Sequence, residues 1–492
     1  MNEFKSILIL TSITFAFIVL FEYLARKNII SSVLSRKLLH VITGFIVVSV
    51  PFLIENFYLV MSIGIAFSVS NLVLIKKNLL KQIDTSTGEN LGIFYYPLSF
   101  LICVFLFWNV NKYLLSLSFL IFSFSDAMAA IVGLSAKSKY QTKITNEPKT
   151  FNGLIAFVLS SFLLMWILRI TVWNEFNFIQ YDYLSFAFIA FIFSLVGGIT
   201  EILSIKGSDN LFLPVILSTT GMVFFVAGIK ISEFGLAFVL AFLISVFSYK
   251  MKFLDFGGSA VTFFLALFIL GIGGWKWTIP ILTFFILSSL LSKFADKVNG
   301  ETTQQIFEKG SKRDYKQVLA NGGVPLLVCI LSVIIPLNID WYLIYLLAVS
   351  ISTADTWSTE FGTLFAKNVY MISSFKKVEA GISGGISVIG TIGGIVGSIV
   401  IVLSGLLFVQ LTMNQVFWIV LFALGGNFVD SLLGASLQVT YKCSNCGKLT
   451  EKKTHCNLET NYFKGIKFID NDVVNFASVL FISIVYFIFL IV

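Results

Sequence analysis

Apolar residues in this chain come in runs of roughly 17 to 25, recurring from one end to the other and separated by short polar stretches; each run is long enough to cross a hydrocarbon core of about 30 Å as a helix. Marking them gives about sixteen spans. The pattern predicts an all-α, polytopic integral membrane protein with about sixteen transmembrane helices in two fused bundles. The first run, residues 6–24, lacks a small-residue cleavage pattern and is followed by Arg26 and Lys27, which predicts a retained span and not a cleaved signal peptide. No Pro-rich or Ser-rich linker divides the halves. The boundary is placed between residues 1–249 and 250–492, where an apolar run ends in Lys250 and Lys252 and the polar pattern starts again.

The stretches between the runs alternate in charge. One set is basic: Arg26 with Arg36 and Lys37, then Lys76, Lys77 and Lys81, residues 137–149, Lys206, Lys250 with Lys252, residues 293–316, Lys376 with Lys377, and residues 442–467. The other set is nearly free of Lys and Arg. The excess of Lys and Arg on the cytoplasmic side of membrane proteins puts the first set in the cytoplasm and both termini outside it. Composition agrees: 57% of residues are hydrophobic and 12% charged, with a mean hydropathy of +0.92, which excludes a water-soluble domain. The net charge of +8 belongs to the basic loops, so the expected partner is the lipid bilayer and no nucleic acid. Almost every unusual polar or glycine-rich string lies in the basic set or in the helix turns entering it. Chemistry is therefore expected to face the cytoplasm, where nucleoside triphosphate is available. A transporter would more naturally spread ionisable groups through the midplane.

In the first half, residues 35–44 read SRKLLHVITG, with Arg36, Lys37 and His40 at the start of a span. Positive-inside anchoring explains Arg36 and Lys37 as readily as phosphate binding does. Within FSFSDAMAAIVG, Asp126 stands in a span with no basic residue within a helical turn. A carboxylate among apolar side chains needs a cation, a partner or water, and Asp126 is about two turns from the cytoplasmic end, within reach of a magnesium ion carried in by a nucleotide. Lys149, Thr150 and Gly153 then open the next span, a basic, glycine-containing helix entry suited to phosphate. Glu201, Asp209 and Asn210 follow on the same side. Carboxylates with a lysine supply what metal-assisted phosphoryl transfer requires: oxygen ligands, a cation for the phosphates and a base for the alcohol.

These strings resemble the phytol kinase and dolichol kinase family of CTP-dependent polyprenol kinases over roughly the first 230 residues. The matching elements are RKLLH at 36–40, the Gly-Glu and Tyr-Pro pieces within 88–97, SDAMAAIVG, KTFNG, and Glu201 followed by Asp209 and Asn210. Two positions depart from the family: Ser125 replaces a glycine, and Asn152 replaces a carboxylate. The resemblance implies Mg2+ and CTP as phosphoryl donor, with Asp126, Lys149, Glu201 and Asp209 catalytic, Asp126 on the metal, and Arg36, Lys37, Thr150 and Gly153 on the nucleotide. Related motifs occur in phosphatidate cytidylyltransferases, which makes a CTP-dependent cytidylyltransferase the nearest competing class.

The second half has its own strings. DFGGSAVTF begins at Asp255, where helix capping is the default role. KGSKRDY and QVLANGGVP supply Lys312, Arg313, Asn321 and Gly322, basic side chains beside glycine-rich backbone suited to phosphate. STADTWSTEFG carries Asp355 and Glu360, about 140° apart around an α-helix, so they share a metal only if the helix breaks. In GISGGISVIGTIGGIVG, Gly384 and Gly385 at the helix entry are phosphate candidates, while the glycines from Gly390 onward suit helix packing. Asn427 and Asp430 fall on one helical face. This half resembles the membrane family that includes the phytyl-phosphate kinases, through these strings, NFVDSLLGASLQ and the closing cysteine and Asp-Asn elements. The resemblance implies CTP-dependent conversion of a prenyl monophosphate to the diphosphate. We assign Arg313, Asp355, Glu360 and Asp430 as its catalytic set, with Asp355 and Asp430 on magnesium. Cys443, Cys446, His455 and Cys456 are ligand types suited to zinc; structural zinc and reduced thiols in a packing role both stand as readings.

Together the resemblances imply a bifunctional enzyme acting on a prenyl alcohol, such as phytol or geranylgeraniol, and then on its prenyl monophosphate. Fusion keeps a membrane-bound intermediate near its next site.

Overall fold

The computed structural model describes residues 3–77, 92–135, 149–171, 178–204, 207–299, 312–447, 449–456 and 458–491. Residues 88–90, Lys81, Lys206 and the stretch 300–311, all used in the sequence analysis, lie outside them. Among the described residues the chain forms fifteen α-helices and eight short β-strands. Thirteen helices are long and apolar enough to cross a membrane. Three features account for the difference from about sixteen predicted spans. The 44-residue helix α10 is two helices meeting at Gly274, whose φ of +63° and ψ of −162° break the ladder; α8 has 17 residues; and α12 carries Asp355 and Glu360 among hydroxyl side chains.

By contacts the chain divides into two compact units, Met1–Ser232 and Glu233–Val492. The division falls near the start of α9, so this helix goes with the second unit, whereas the charge pattern closes the first at Tyr249.

The first unit comprises α1 (Glu3–Arg26), α2 (Ser32–Leu53), α3 (Phe57–Lys76), α4 (Gly92–Asn111), α5 (Tyr113–Ser135), α6 (Phe151–Ile170), α7 (Tyr183–Leu203) and α8 (Asp209–Phe225). Side-chain oxygens of Ser31, Asn56, Thr150 and Asp182 accept from backbone amides at the starts of α2, α3, α6 and α7, satisfying donors that a helix start leaves unpaired. Helix α5 packs against α2, α6 and α8, and Phe119, Phe122 and Phe157 of α5 and α6 are buried.

The second unit comprises α9 (Ile231–Lys250), α10 (Phe256–Asn299), α11 (Tyr315–Ile334), α12 (Trp341–Phe365), α13 (Val388–Leu406), α14 (Met413–Ser436) and α15 (Asn471–Ile491). Helix α12 is its axis: every residue from Trp341 through Ala354 is buried, against α10, α11, α13, α14 and α15. Tyr345 Oη donates to the Trp277 carbonyl at 2.5 Å and Tyr342 Oη to that of Lys276 at 3.1 Å, so the polar tips of this aromatic core are satisfied.

Helix α13 lies close on α12 because it presents glycines there. A Cβ on Gly393 would sit 2.8 Å from Phe361 Cβ and 2.9 Å from the Trp357 carbonyl, and one on Gly390 2.8 Å from the Ser358 carbonyl. The helix-packing role expected of these glycines is thus the one the structure gives them. Gly393→Leu should cost about 1–3 kcal/mol, read as a lower unfolding temperature in detergent. Gly425→Leu, on α14 with nothing within 4 Å, should leave it unchanged.

Between α12 and α13, three strands pair antiparallel in the order β2-β1-β3: β1 (Val369–Met371), β2 (Lys377–Val378) and β3 (Gly385–Ile386). Between α14 and α15 lie β4 (Thr440–Lys442), β5 (Leu449–Thr450) and β8 (Asn461–Lys464), in the order β5-β4-β8. A hairpin of β6 (Thr454–His455) and β7 (Leu458–Glu459) completes this knuckle. Strands of two to four residues carry too little alternation to be read from sequence.

Candidate functional site

In the first unit, the N-terminal ends of α2, α4, α6 and α8 and the C-terminal ends of α5 and α7 surround one cavity of about 550 Å³. Every carboxylate and lysine assigned to the first site lines it. Lys37, on α2, donates to Asp126 Oδ1 and Oδ2 at 2.9 and 2.6 Å, and His40 Nε2 lies 3.5 Å from Asp126 Oδ2. Asp126 is 3% exposed, so the compensation its position demands comes from a neighbouring helix. Lys149 donates to Glu201 Oε1 at 2.8 Å and also to the Glu201 carbonyl. Burial works against the charge on Lys149, yet the carboxylates of Glu201 and Asp209 lift its ammonium above the ordinary lysine range. One carboxylate oxygen each from Asp126, Glu201 and Asp209 lies within 4.8 Å of the others. Among the described residues, Glu201 Oε2 and His40 Nε2 are buried without a hydrogen-bond partner.

The other predicted contacts of the first site sort differently. Arg36 is exposed at the cavity's edge. Thr150 caps α6, accepting from Gly153 N at 3.1 Å. Gly153 serves packing as well as lining the cavity: a Cβ there would lie 3.0 Å from the Ala129 carbonyl of α5. Away from the charged residues the cavity runs along α2 past Val47 and Val50 to Ile54, and it is walled by Ile7 and Leu10 of α1 and by Val60 and Ile63 of α3. From Lys37 to Val50 the helix rises roughly 20 Å at 1.5 Å per residue, so one space joins a charged end to a long apolar wall.

The second unit encloses a smaller cavity of about 250 Å³, lined by Arg313, Asn321, Asp355, Glu360, Gly384, Gly385, Asn427 and Asp430 among others. Arg313 is fixed by its backbone: its N–H donates to the Phe253 carbonyl and its carbonyl accepts from Asp255 N, both at 3.0 Å. Immediately after it, Asp314 and Gln317 form a capping box on α11. The Arg313 side chain is 9% exposed and stacks on Phe284 at 5.3 Å. Burial pulls its guanidinium down to about 10, against the upward pull of Glu360. That guanidinium makes no hydrogen bond or ion pair among the described residues.

Helix α12 is continuous through Asp355 and Glu360, so the two carboxylates serve different partners. Glu360 accepts from Ser292 Oγ at 2.5 Å. Asp355 lines the same cavity as Asp430 of α14, and Asp430 Oδ2 accepts from Ser478 Oγ at 3.1 Å. The Asn475 amide, oriented to satisfy its neighbours, donates to the same oxygen at 3.1 Å. Two predicted contacts are not brought here. Lys312 sits over Tyr249 at 5.9 Å, and Gly322 packs on α10, where a Cβ would lie 2.7 Å from Leu265 Cδ1. Gly384, with φ +83°, lets the turn approach Ala435, an approach that a side chain would block. Neither Lys312 nor Gly322 lines the cavity.

A sequence profile of an integral membrane protein family, DUF92, matches residues 239–483. An uncharacterized membrane protein of Methanocaldococcus jannaschii, MJ0933, is 34% identical over 180 residues, 36% of this chain and 71% of its own length. The chain belongs to the DUF92 family. Protein PGR of Arabidopsis thaliana is 28% identical over 271 residues, 50% of this chain and 92% of that protein. Protein VTE6, chloroplastic, of the same plant is 30% identical over 132 residues, 27% of this chain and 33% of that protein. No solved structure matches the chain. The DUF92 region contains the whole lining of the smaller cavity, while the larger cavity lies before it.

Sequence reasoning missed His40 as a member of the first site and Glu451 and Ser383 as members of the second. His40 stood in the RKLLH string, but only the fold brings it against Asp126. Glu451 and Ser383 carried no signal in the sequence: they meet across 68 positions, at 2.6 Å.

Cys443, Cys446, His455 and Cys456 come together, with one ligand atom of each within 4.8 Å of the others. Hydrogen bonds from the Cys446 and Asn445 amides pull the Cys443 thiol down to about 6.

Proposed function

We propose that the first unit phosphorylates a membrane-borne prenyl alcohol with CTP and that the DUF92 unit phosphorylates the resulting monophosphate to the diphosphate. The observation that carries this reading is the single cavity joining the Asp126, Glu201 and Asp209 carboxylates to the apolar wall of α1, α2 and α3. An alcohol with a long hydrocarbon tail needs such a space: a charged end for its oxygen and a greasy channel for its chain.

Asp126, Glu201 and Asp209 offer only oxygen, the donor set of magnesium, and their spacing fits one ion. Held by these three carboxylates, magnesium would supply charge neutralisation to the phosphates of CTP. Lys37 and Lys149 hold counter-charge beside the same phosphates. The alcohol oxygen attacks the γ-phosphorus, a new O–P bond forms, the bond to the β-phosphate oxygen breaks, and CDP leaves with the electron pair. The alcohol proton passes to Glu201 Oε2, the buried carboxylate oxygen with no hydrogen-bond partner among the described residues. In the second unit the Arg313 guanidinium takes the phosphates, bidentate as its fork allows, and Asp355 and Asp430 are the oxygen ligands. There a monophosphate oxygen attacks the γ-phosphorus of a second CTP, again releasing CDP.

A substitution at the apolar end tests the substrate class. Val47→Trp fills the channel beyond the charged end and should shift preference from geranylgeraniol towards farnesol by about tenfold in kcat/KM, a change worth ~1.4 kcal/mol. Equal loss with both alcohols would mean that the tail lies elsewhere.

A further inference from the structure

The cysteine knuckle between α14 and α15 has a feature the proposed phosphorylation does not use: it reaches into the lining of the smaller cavity. Cys443 and Cys446 flank the turn after β4, which closes through Gly447 N donating to the Cys443 carbonyl at 3.0 Å, with Gly447 at φ +71°. His455 ends β6, and Cys456 comes next with φ +53°, a left-handed turn that lets two adjacent side chains face one point. His455 Nδ1 lies 3.5 Å from Cys446 Sγ and 3.1 Å from Cys456 Sγ. In a tetrahedral zinc site with bonds of about 2.3 Å to sulfur and about 2.1 Å to nitrogen, those edges measure roughly 3.6 Å. Three thiolates and one imidazole select zinc over magnesium or calcium, and four protein ligands close the coordination sphere, as structural sites require.

Between the two ligand pairs the chain carries Glu451. Its Oε1 accepts from Ser383 Oγ at 2.6 Å and from Gln438 Nε2 at 2.7 Å. Ser383 belongs to the turn 381–385, which lines the smaller cavity together with Glu451 itself. That turn holds two left-handed glycines, Gly381 at φ +91° and Gly384 at φ +83°. Glycines in this region give the backbone more freedom to lose on ordering. A turn of this kind needs tethers, and Glu451 supplies one from a segment flanked by the two-residue strands β5 and β6. Such short strands cannot order the segment by pairing alone.

We propose that Cys443, Cys446 and Cys456 through sulfur and His455 through Nδ1 hold a structural zinc ion, and that this ion, acting through Glu451, fixes the turn 381–385 at the cavity of the second unit. Glu451 is a positioning residue. The metal site stands without the kinase reading; only its consequence for turnover depends on that reading.

The test uses the full chain in detergent, purified without chelator. Elemental analysis should find one zinc per chain, and exchange into cobalt(II) should give the visible bands of a tetrahedral thiolate site. Cys446→Ser should lower the zinc content at least tenfold. In hydrogen exchange, amides of 381–385 should exchange at least tenfold faster in Cys446→Ser and in Glu451→Ala. Glu451→Ala should keep its zinc, which separates the tether from the metal and removes misfolding as an explanation. Wild-type protein with no zinc and no tetrahedral cobalt spectrum overturns the metal site. Zinc retained in full by Cys446→Ser does the same. Exchange at 381–385 unchanged in Glu451→Ala overturns the coupling. None of these readouts requires a substrate, so they fail or succeed apart from the proposed phosphorylation.

Discussion

On the proposed function, Asp126→Asn should leave the prenyl alcohol untouched while the same preparation still converts added prenyl monophosphate to diphosphate. The expected loss in the first reaction is about 10³-fold, the scale on which removal of one preorganised electrostatic partner acts at a reacting centre. Asp126 is one of three carboxylates within 4.8 Å and the partner of Lys37 at 2.6 Å, so the substitution removes a proposed metal ligand and unpairs a lysine. Breaking a buried pair typically costs about 3–5 kcal/mol. The Lys37 side chain is 22% exposed, which places the stability loss below that range. Lys37→Met added to Asp126→Asn should recover part of the stability and none of the activity, because the pair couples in stability whereas the carboxylate acts on the metal. Thermal unfolding and the two product assays on one preparation separate these effects.

Arg313→Ala should make the monophosphate accumulate. The side chain is nine-tenths buried, stacks on Phe284 and makes no hydrogen bond or ion pair among the described residues, so among them it is a desolvated cation with no hydrogen-bonded counter-charge. Such a charge costs stability unless something arrives to pair with it. Its removal should therefore leave the unfolding temperature unchanged or raise it, while the second phosphorylation falls by about 10²–10³-fold. A merely structural arginine would behave in the opposite way, losing stability and activity together. Arg313→Lys restores only part of the rate, because a single ammonium cannot reproduce the planar fork that grips two phosphate oxygens. The first reaction, measured as CDP released with alcohol in the absence of monophosphate, stays at its normal rate.

The membrane class, the helical content and most of the spans were legible in the sequence because they rest on local composition over about twenty residues. The strings carrying Asp126, Glu201, Asp209, Asp355 and Asp430 were legible too, since a carboxylate in an apolar run is conspicuous wherever it points. What local pattern does not contain is pairing. Lys37 looked like a loop anchor and proves to be the counter-ion of Asp126, 89 positions away. Gly322 and Gly153 resembled phosphate glycines, yet each permits a close helix contact that only the packed structure reveals. The tether from Glu451 to Ser383 depends on strands of two or three residues, below the length at which alternation can be recognised. The division near Ser232 was hidden for a related reason. Helix α9 ends in lysines like a terminal span, but its side chains pair with α10, Ser245 with Ser259 and Phe238 with Phe263.

The measurement that tests the central claim most directly is the fate of CTP. Purified protein with magnesium, a prenyl alcohol and CTP labelled at the γ-phosphate should transfer the label to the alcohol, release CDP in step with it, and then yield diphosphate with a second CDP. Release of pyrophosphate with the cytidine monophosphate moiety on the lipid, or no turnover of CTP with any alcohol of the series farnesol, geranylgeraniol and phytol, would contradict the account.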